Sequence, residues 1–127
     1  MSTTVLFVEG LTRSANFYAA LLGGEISDQS ATFVRVSTDA NEVLLHQIPG
    51  ATPDDSYPTR EDAAMKPVYV VASIDAARSA VAALGGRVYD ASTVATYGNV
   101  NYCDAVDPEG NVIQLAERLR WYALSGS

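Results

Sequence analysis

The sequence contains only one cysteine, one histidine and one lysine among 127 residues, and each scarcity limits what the protein can do. A single thiol, Cys103, excludes an internal disulfide and a cysteine-rich zinc cluster. Its position in a strand-like run favours a buried, inert thiol over a nucleophile. Eight basic residues against fifteen acidic ones give a net charge of −7, so the chain would repel a phosphate backbone. We therefore expect no nucleic-acid partner.

Long apolar runs and an N-terminal targeting pattern are also missing from the sequence. Without them we expect a cytoplasmic protein with no membrane partner. Hydrophobic residues make up 48% of the chain and charged residues 18%, which is a globular composition rather than a disordered one. A chain of this length forms one domain, or two small halves that share a core.

An internal repeat organises the chain. Residues 19–24 read AALLGG, and residues 81–86 read VAALGG. Each glycine pair follows a helical pattern and would end that helix, and Ser73 is placed as the N-cap of the second helix. One strand pattern precedes each helix and three follow it, so each half is predicted to run strand–helix–strand–strand–strand.

The strand patterns also set the predicted boundaries. In the first half strands are predicted at 4–8, 24–27, 31–36 and 42–48, and in the second half at 67–71, 87–89, 99–106 and 111–117. Loop 49–65, rich in proline, aspartate, serine and threonine, separates the halves 1–48 and 66–118. Because neither half is large enough to bury much core alone, we expect the two to pack as a single domain over residues 1–127.

Two stretches at opposite ends of this duplicated pattern resemble a known superfamily. VEGLTRSANFYAALLGG (8–24) is similar to the first strand–helix junction of vicinal oxygen chelate proteins, and VDPEGNVIQLAE (106–117) is similar to their closing hairpin. That superfamily includes glyoxalase I, extradiol dioxygenases and bleomycin-resistance proteins. The resemblance implies an α+β fold in which tandem βαβββ modules form an open curved-sheet barrel with helices outside.

The alternation along the last strand then assigns its side chains to faces. Ile113 and Leu115 would face the helices, while Gln114 would face the cavity. By the matching alternation in the first half, His46 would also face the cavity. Glu117 falls on the helix side at the end of its strand, and we interpret it as a fraying or interface carboxylate rather than a cavity group.

The resemblance also implies positions for a divalent metal ion. The metal-using members take ligands, typically His or Gln, Glu, His and Glu, from the first and last strands of both modules. Carried over by position, these fall at Thr3, Leu44, Lys66 and Gln114. Threonine is a poor divalent ligand, leucine cannot be one, and a protonated lysine repels the ion.

A shift of one or two residues could recruit His46 and Glu117 as ligands. Two protein ligands remain fewer than the three that a catalytic zinc site commonly uses. The sequence therefore predicts no metal site and no cofactor.

Polar and aromatic side chains are the remaining candidates for a ligand site. His46, Lys66 and Gln114 are predicted to offer polar contacts, Lys66 by placing an ammonium where relatives hold a metal ion. The alternative for Lys66 is a surface lysine beside the linker. Flat side chains could stack on a planar ligand, and the candidates are Tyr57, Tyr102 and Trp121, with core or tail packing as the alternative.

Three functions stay open. The first is a metal-independent protein that holds a small organic ligand in the barrel cavity, like the bleomycin-resistance branch. The second is a metal-dependent lyase, isomerase or dioxygenase with a shifted metal site, and the third is a protein with a filled cavity that serves only association. Small modules with open sheet edges also predict a homodimer, with the first strand and the tail 119–124 near the interface.

Overall fold

The computed structural model describes residues 2–119. In chain order the elements are β1 (Ser2–Val8), α1 (Leu11–Leu22), β2 (Glu25–Ser27), β3 (Phe33–Ser37), β4 (Asn41–Gln47), β5 (Val68–Val70), α2 (Ile74–Ala80), β6 (Arg87–Val88), a 3-10 helix (Ala91–Thr93), β7 (Ala95–Tyr97), β8 (Val100–Val106) and β9 (Val112–Arg118). Neither α-helix of this described part is long and apolar enough to cross a membrane.

The strands form two sheets with the same internal order. The first sheet runs β1-β4-β3-β2 and the second runs β5-β9-β8-β6, with β7 pairing to β8. The first and last strands of each half pair in parallel, as β1 with β4 and β5 with β9, and the other pairs are antiparallel. The predicted α+β fold with open curved sheets is confirmed, and the sheets do not close into a barrel.

Strand β7 is the one described strand that was not predicted from the sequence. It forms a hairpin with β8 across Gly98 and Asn99. Gly98 has φ of 61°, a left-handed conformation that glycine adopts without steric cost. A glycine–asparagine pair between two short strand patterns is a recognised hairpin signal.

Helix α1 lies within a core that both halves share. Phe17 and Tyr18 are adjacent and both fully buried, because the helix contacts its own sheet and also the second half. Phe17 packs so closely on Gly86 that a Cβ there would stand 2.4 Å from the Phe17 ring. Tyr18 meets Tyr69 of β5 edge to face, with ring centroids 5.9 Å apart.

Alternation along the strands separates this core from two open faces. On β4, Val43 and Leu45 are fully buried while Leu44 and His46 are half-buried. On β9, Ile113 and Leu115 are buried while Gln114 is half-buried. Each sheet therefore has one face against the helices and one open face.

The turn of the closing hairpin holds the start of α1. The buried Glu109 carboxylate accepts hydrogen bonds from the backbone N–H of Glu9 at 2.9 Å and of Gly10 at 2.8 Å. These bonds fix the two residues that lead into α1, since Gly10, the N-cap residue, has no side chain of its own to cap the helix. A negative charge at this position also stabilises the helix dipole.

Asp107 holds the same turn from the other side. Its Oδ1 accepts from the backbone N–H groups of Glu109 and Asn111 at 2.9 and 3.0 Å, which fixes the turn. Its Oδ2 accepts from the Tyr18 hydroxyl at 2.7 Å. Burial, together with the Asp107 carboxylate, raises the pKa of Tyr18 well above its ordinary value. Both acids of the hairpin thus have structural partners.

Glu117, near the end of β9, holds the start of α2. Its Oε1 accepts from the backbone N–H of Ile74, the first residue of α2, at 2.6 Å, while Ser73 caps the same helix start. Gln47 at the end of β4 does the same for α1, accepting from the Leu11 N–H at 3.1 Å. The contact agrees with the helix-side parity predicted for Glu117, but the carboxylate is bound to α2 and does not fray.

Asn41 joins the two sheets. Its side-chain amide donates to the carbonyl of Val70 at 2.7 Å and accepts from the Val70 N–H at 3.1 Å. Asn41 is 2% exposed, so the amide that makes both bonds is itself buried. The end of β5 is therefore hydrogen-bonded to the start of β4.

The Glu109 contact generates a stability prediction. Glu109→Gln should lower the free energy of unfolding by about 2 kcal/mol, because an amide N–H₂ would then face backbone donors. Urea unfolding followed by circular dichroism measures the change. Glu61→Gln, an exposed change in the linker, is the matched control and should shift stability by less than about 0.5 kcal/mol. Equal effects of the two substitutions would contradict the prediction.

Candidate functional site

The open face of the second sheet carries a cavity of about 670 Å³. It extends from β5 across β9 and β8 to β7 and the segment before it. The residues that line it are Val68, Tyr89, Thr93, Ala95, Tyr97, Tyr102, Cys103, Asp104 and Gln114. A cavity of this size suits a small organic molecule.

The floor of the cavity is a polar pair. Asp104 on β8 and Gln114 on β9 lie opposite each other in the ladder, and the Gln114 amide donates to Asp104 Oδ1 at 3.3 Å. Lys66 Nζ donates to Asp104 Oδ2 at 2.9 Å. The lysine charge is thus neutralised by a carboxylate, which weakens the hypothesis that it holds an anion.

Tyrosine rings form the wall of the cavity. Tyr97 and Tyr102 lie across the β7–β8 hairpin with centroids 6.0 Å apart and planes at 57°. Tyr97 is 71% exposed and its face is open to a ligand. Tyr89 completes the wall, and its ring is covered by the guanidinium of Arg87 at 4.9 Å.

Sequence reasoning did not select Asp104 or Tyr89. Asp104 lies two residues after Tyr102 on β8, so both side chains are on the same face of the strand. A prediction that included strand pairing could therefore have placed Asp104 beside Gln114. Nothing in the sequence around Tyr89 distinguishes it from a core tyrosine.

His46 lies on the open face of the first sheet and is not among the residues that line this cavity. Its imidazole is stacked on Phe7, with centroids 5.3 Å apart and planes at 25°, and is tilted against Phe33 at 5.0 Å. Phe7 is 68% exposed and Val5 beside it 49%. The face around His46 is therefore an exposed aromatic and aliphatic surface.

Tyr57 is not among the residues that line the second-sheet cavity. The Tyr57 hydroxyl donates to Glu9 Oε1 at 2.5 Å and accepts from the Asp54 N–H at 2.9 Å, and the Glu9 carboxylate raises the pKa of this phenol. Arg13 lies over the Tyr57 ring at 5.5 Å. These contacts attach the linker to the start of α1. Trp121, Tyr122 and the tail from residue 120 onward lie outside the described residues.

The positions where metal-using relatives hold an ion do not fit one here. The Thr3 hydroxyl donates to Glu42 Oε1 at 2.9 Å, and Arg35 pairs with Glu42 Oε2. These two contacts lower the pKa of Glu42. Leu44 is apolar, and Lys66 brings a positive charge. Within residues 2–119 no three His, Cys, Asp or Glu side chains come together as a metal-binding group.

Comparison with known proteins gives the family. Residues 3–116 match the family described as a glyoxalase-like domain. The chain belongs to this glyoxalase-like family, and the resemblance to the vicinal oxygen chelate superfamily is confirmed. No curated protein matches the sequence.

Solved structures agree on the fold. A glyoxalase/bleomycin resistance protein from Albidiferax ferrireducens T118 is 20% identical with a TM-score of 0.65, covering 93% of this chain and 98% of that one. A glyoxalase/bleomycin resistance protein/dioxygenase family enzyme from Burkholderia phytofirmans PsJN is 16% identical with a TM-score of 0.65, covering 92% and 97%. A glyoxalase-related enzyme from Fulvimarina pelagi is 13% identical with a TM-score of 0.63, covering 93% and 87%.

Proposed function

We propose that the protein binds a small organic molecule, without a metal ion, in the cavity on the open face of the second sheet. The observation that carries the proposal is the combination of a tyrosine wall with a polar floor in a cavity of about 670 Å³. Tyr97 and Tyr102 offer flat apolar surface, and Gln114 offers an amide to orient the ligand. Aromatic side chains beside a few polar groups that fix orientation are typical of small-molecule sites.

The chemistry of the donor set supports metal independence. A divalent ion gives up hydration only where several oxygen, nitrogen or sulfur ligands replace it. At the positions in question the chain has an alcohol, an alkyl group, an ammonium and an amide. Glu117, the first extra ligand to consider, already accepts a backbone hydrogen bond from α2 at 2.6 Å.

The proposal includes a homodimer that brings His46 to the ligand. The open face of the first sheet exposes Phe7 and Val5, and that of the second exposes Val68 at 47% and Val70 at 46%. Exposed apolar residues of this size on two faces are typical of a protein that covers them by association. With the first-sheet face of one copy over the second-sheet face of another, His46 would complete the lining of the cavity.

The alternative is a metal-dependent lyase, isomerase or dioxygenase with a shifted site. Its support is that structural neighbours are described as enzymes, one as a glyoxalase-related enzyme and one as an oxidase. Such a site would need ligands beyond His46 that the described residues do not bring beside it.

Ligand binding can be tested with acridine, a planar molecule that is neutral at neutral pH. Tyr102→Ala should weaken acridine binding about tenfold, because stacking and buried area are both lost. Fluorescence titration gives the dissociation constant. Tyr57→Ala is the matched control, since Tyr57 contacts the linker and α1, and it should leave the constant unchanged. An equal loss in both variants would contradict the assignment of this cavity.

Metal independence has a direct measurement. Elemental analysis of protein purified without an affinity tag or chelator should find far less than one equivalent of any transition metal. Zinc, nickel, manganese and ferrous iron should each leave the melting temperature unchanged, because no set of ligands binds them tightly. About one equivalent of metal that His46→Ala removes would move the protein to the enzyme class.

The dimer can be tested on the first-sheet face. Light scattering should show a dimer at micromolar concentration, and Phe7→Glu should shift it toward the monomer because a charge would be buried in the contact. Ala82→Glu, at an exposed position after α2, adds the same charge away from the face and should remain dimeric. A monomeric wild-type protein would contradict the proposal.

A further inference from the structure

We propose that the second-sheet cavity selects a planar organic cation, whose charged nitrogen pairs with Asp104 in place of the Lys66 ammonium. This inference rests on the proposed small-molecule function and adds the charge of the ligand. Three features favour a cation: the carboxylate on the floor of the cavity, the tyrosine rings of its wall and the net charge of the chain.

The floor presents a carboxylate. Asp104 is the only acidic side chain among the described residues that line the cavity, and no lysine, arginine or histidine is among them. Its Oδ1 is shared with the Gln114 amide, and its Oδ2 faces Lys66. A ligand that reaches this floor therefore meets a negative group and an amide dipole.

Lys66 now makes the contact with Asp104 that the ligand cation would make, although Lys66 is not among the residues that line the cavity. Its side chain is 44% exposed and that of Asp104 is 27% exposed. Ion pairs with this much exposure are weak, because water screens them and the long lysine side chain loses conformational freedom. A ligand cation held also by stacking can displace the ammonium into solvent, whereas a ligand anion would be repelled by the Asp104 carboxylate.

The wall favours positive charge as well. The faces of tyrosine rings are electron-rich and attract cations. One ring of the wall already makes such a contact, since the Arg87 guanidinium, which is not among the lining residues, lies over the Tyr89 ring at 4.9 Å. The rings of Tyr97 and Tyr102, tilted at 57° to each other, provide the corresponding surface for a ligand.

The charge of the whole chain acts in the same direction. A net charge of −7 raises the local concentration of small cations at the surface and lowers that of anions. This long-range term falls as salt is added. A ligand stacked in the cavity would itself cover Asp104 from water, so the preference for a cation should persist at physiological ionic strength.

Three probes of one shape test the inference. At neutral pH 9-aminoacridine is a cation, acridine is neutral and acridine-9-carboxylate is an anion. Isothermal titration on the intact protein should rank their affinities in that order, with the cation about tenfold tighter than acridine because a charge-assisted hydrogen bond is added.

Two substitutions should act in opposite directions. Asp104→Asn should abolish the preference for the cation and improve binding of the carboxylate, because Lys66 is then unpaired. Lys66→Met should tighten 9-aminoacridine several-fold, since the competing ammonium is gone. Asp62→Asn removes the same charge at an exposed position of the linker and should leave all three affinities unchanged.

The outcomes separate this inference from the function on which it rests. Equal binding of the three probes, or a preference unchanged by Asp104→Asn, overturns the choice of a cation and leaves a Tyr102-dependent ligand site intact. Failure of all three probes to bind overturns both. Circular dichroism and the melting temperature establish that each variant is folded before its affinity is compared.

Discussion

The carboxylate of Glu109 is the contact on which the arrangement of the two halves depends. Helix α1 follows a glycine that has no side chain to cap it, and the acid that accepts from the N–H groups of the two residues before the helix lies about one hundred positions later in the chain. The start of α1 is therefore complete only when the second half is folded against it. Asp107 strengthens the same junction through the Tyr18 hydroxyl, inside the shared core.

The repeat in the sequence has a counterpart in how each helix begins. Gln47 ends β4 and accepts from the first N–H of α1, and Glu117 ends β9 and accepts from the first N–H of α2. Each sheet thus positions its own helix through its last strand. The second helix has a serine cap in addition, while the first needs Glu109, so the two halves share a topology but not the means of capping.

The sequence predicts the fold better than the candidate site, and the reason is the range of the interactions involved. Alternation at Ile113 and Leu115 and the cap at Ser73 are local patterns, and the structure has both. The pairing of Lys66 with Asp104 joins residues 38 positions apart and follows from strand register, which one sequence does not specify. His46 lies on the open face of its strand, as predicted from the alternation. Alternation does not show, however, that this face and the face that carries the cavity belong to different sheets. Tyr57 is an aromatic residue in a linker, and only its contacts with Glu9 and Arg13 show that it packs at the start of α1.

The amide of Asn41 has a consequence for how other chains can approach. It presents one donor and one acceptor to Val70, as a residue of a neighbouring strand would, and so imitates a single rung of a β-ladder. With both polar groups of Val70 occupied, a foreign strand cannot extend the second sheet past that point. Uncontrolled strand addition, the usual route from an edge strand to a fibril, is thereby interrupted by one buried side chain.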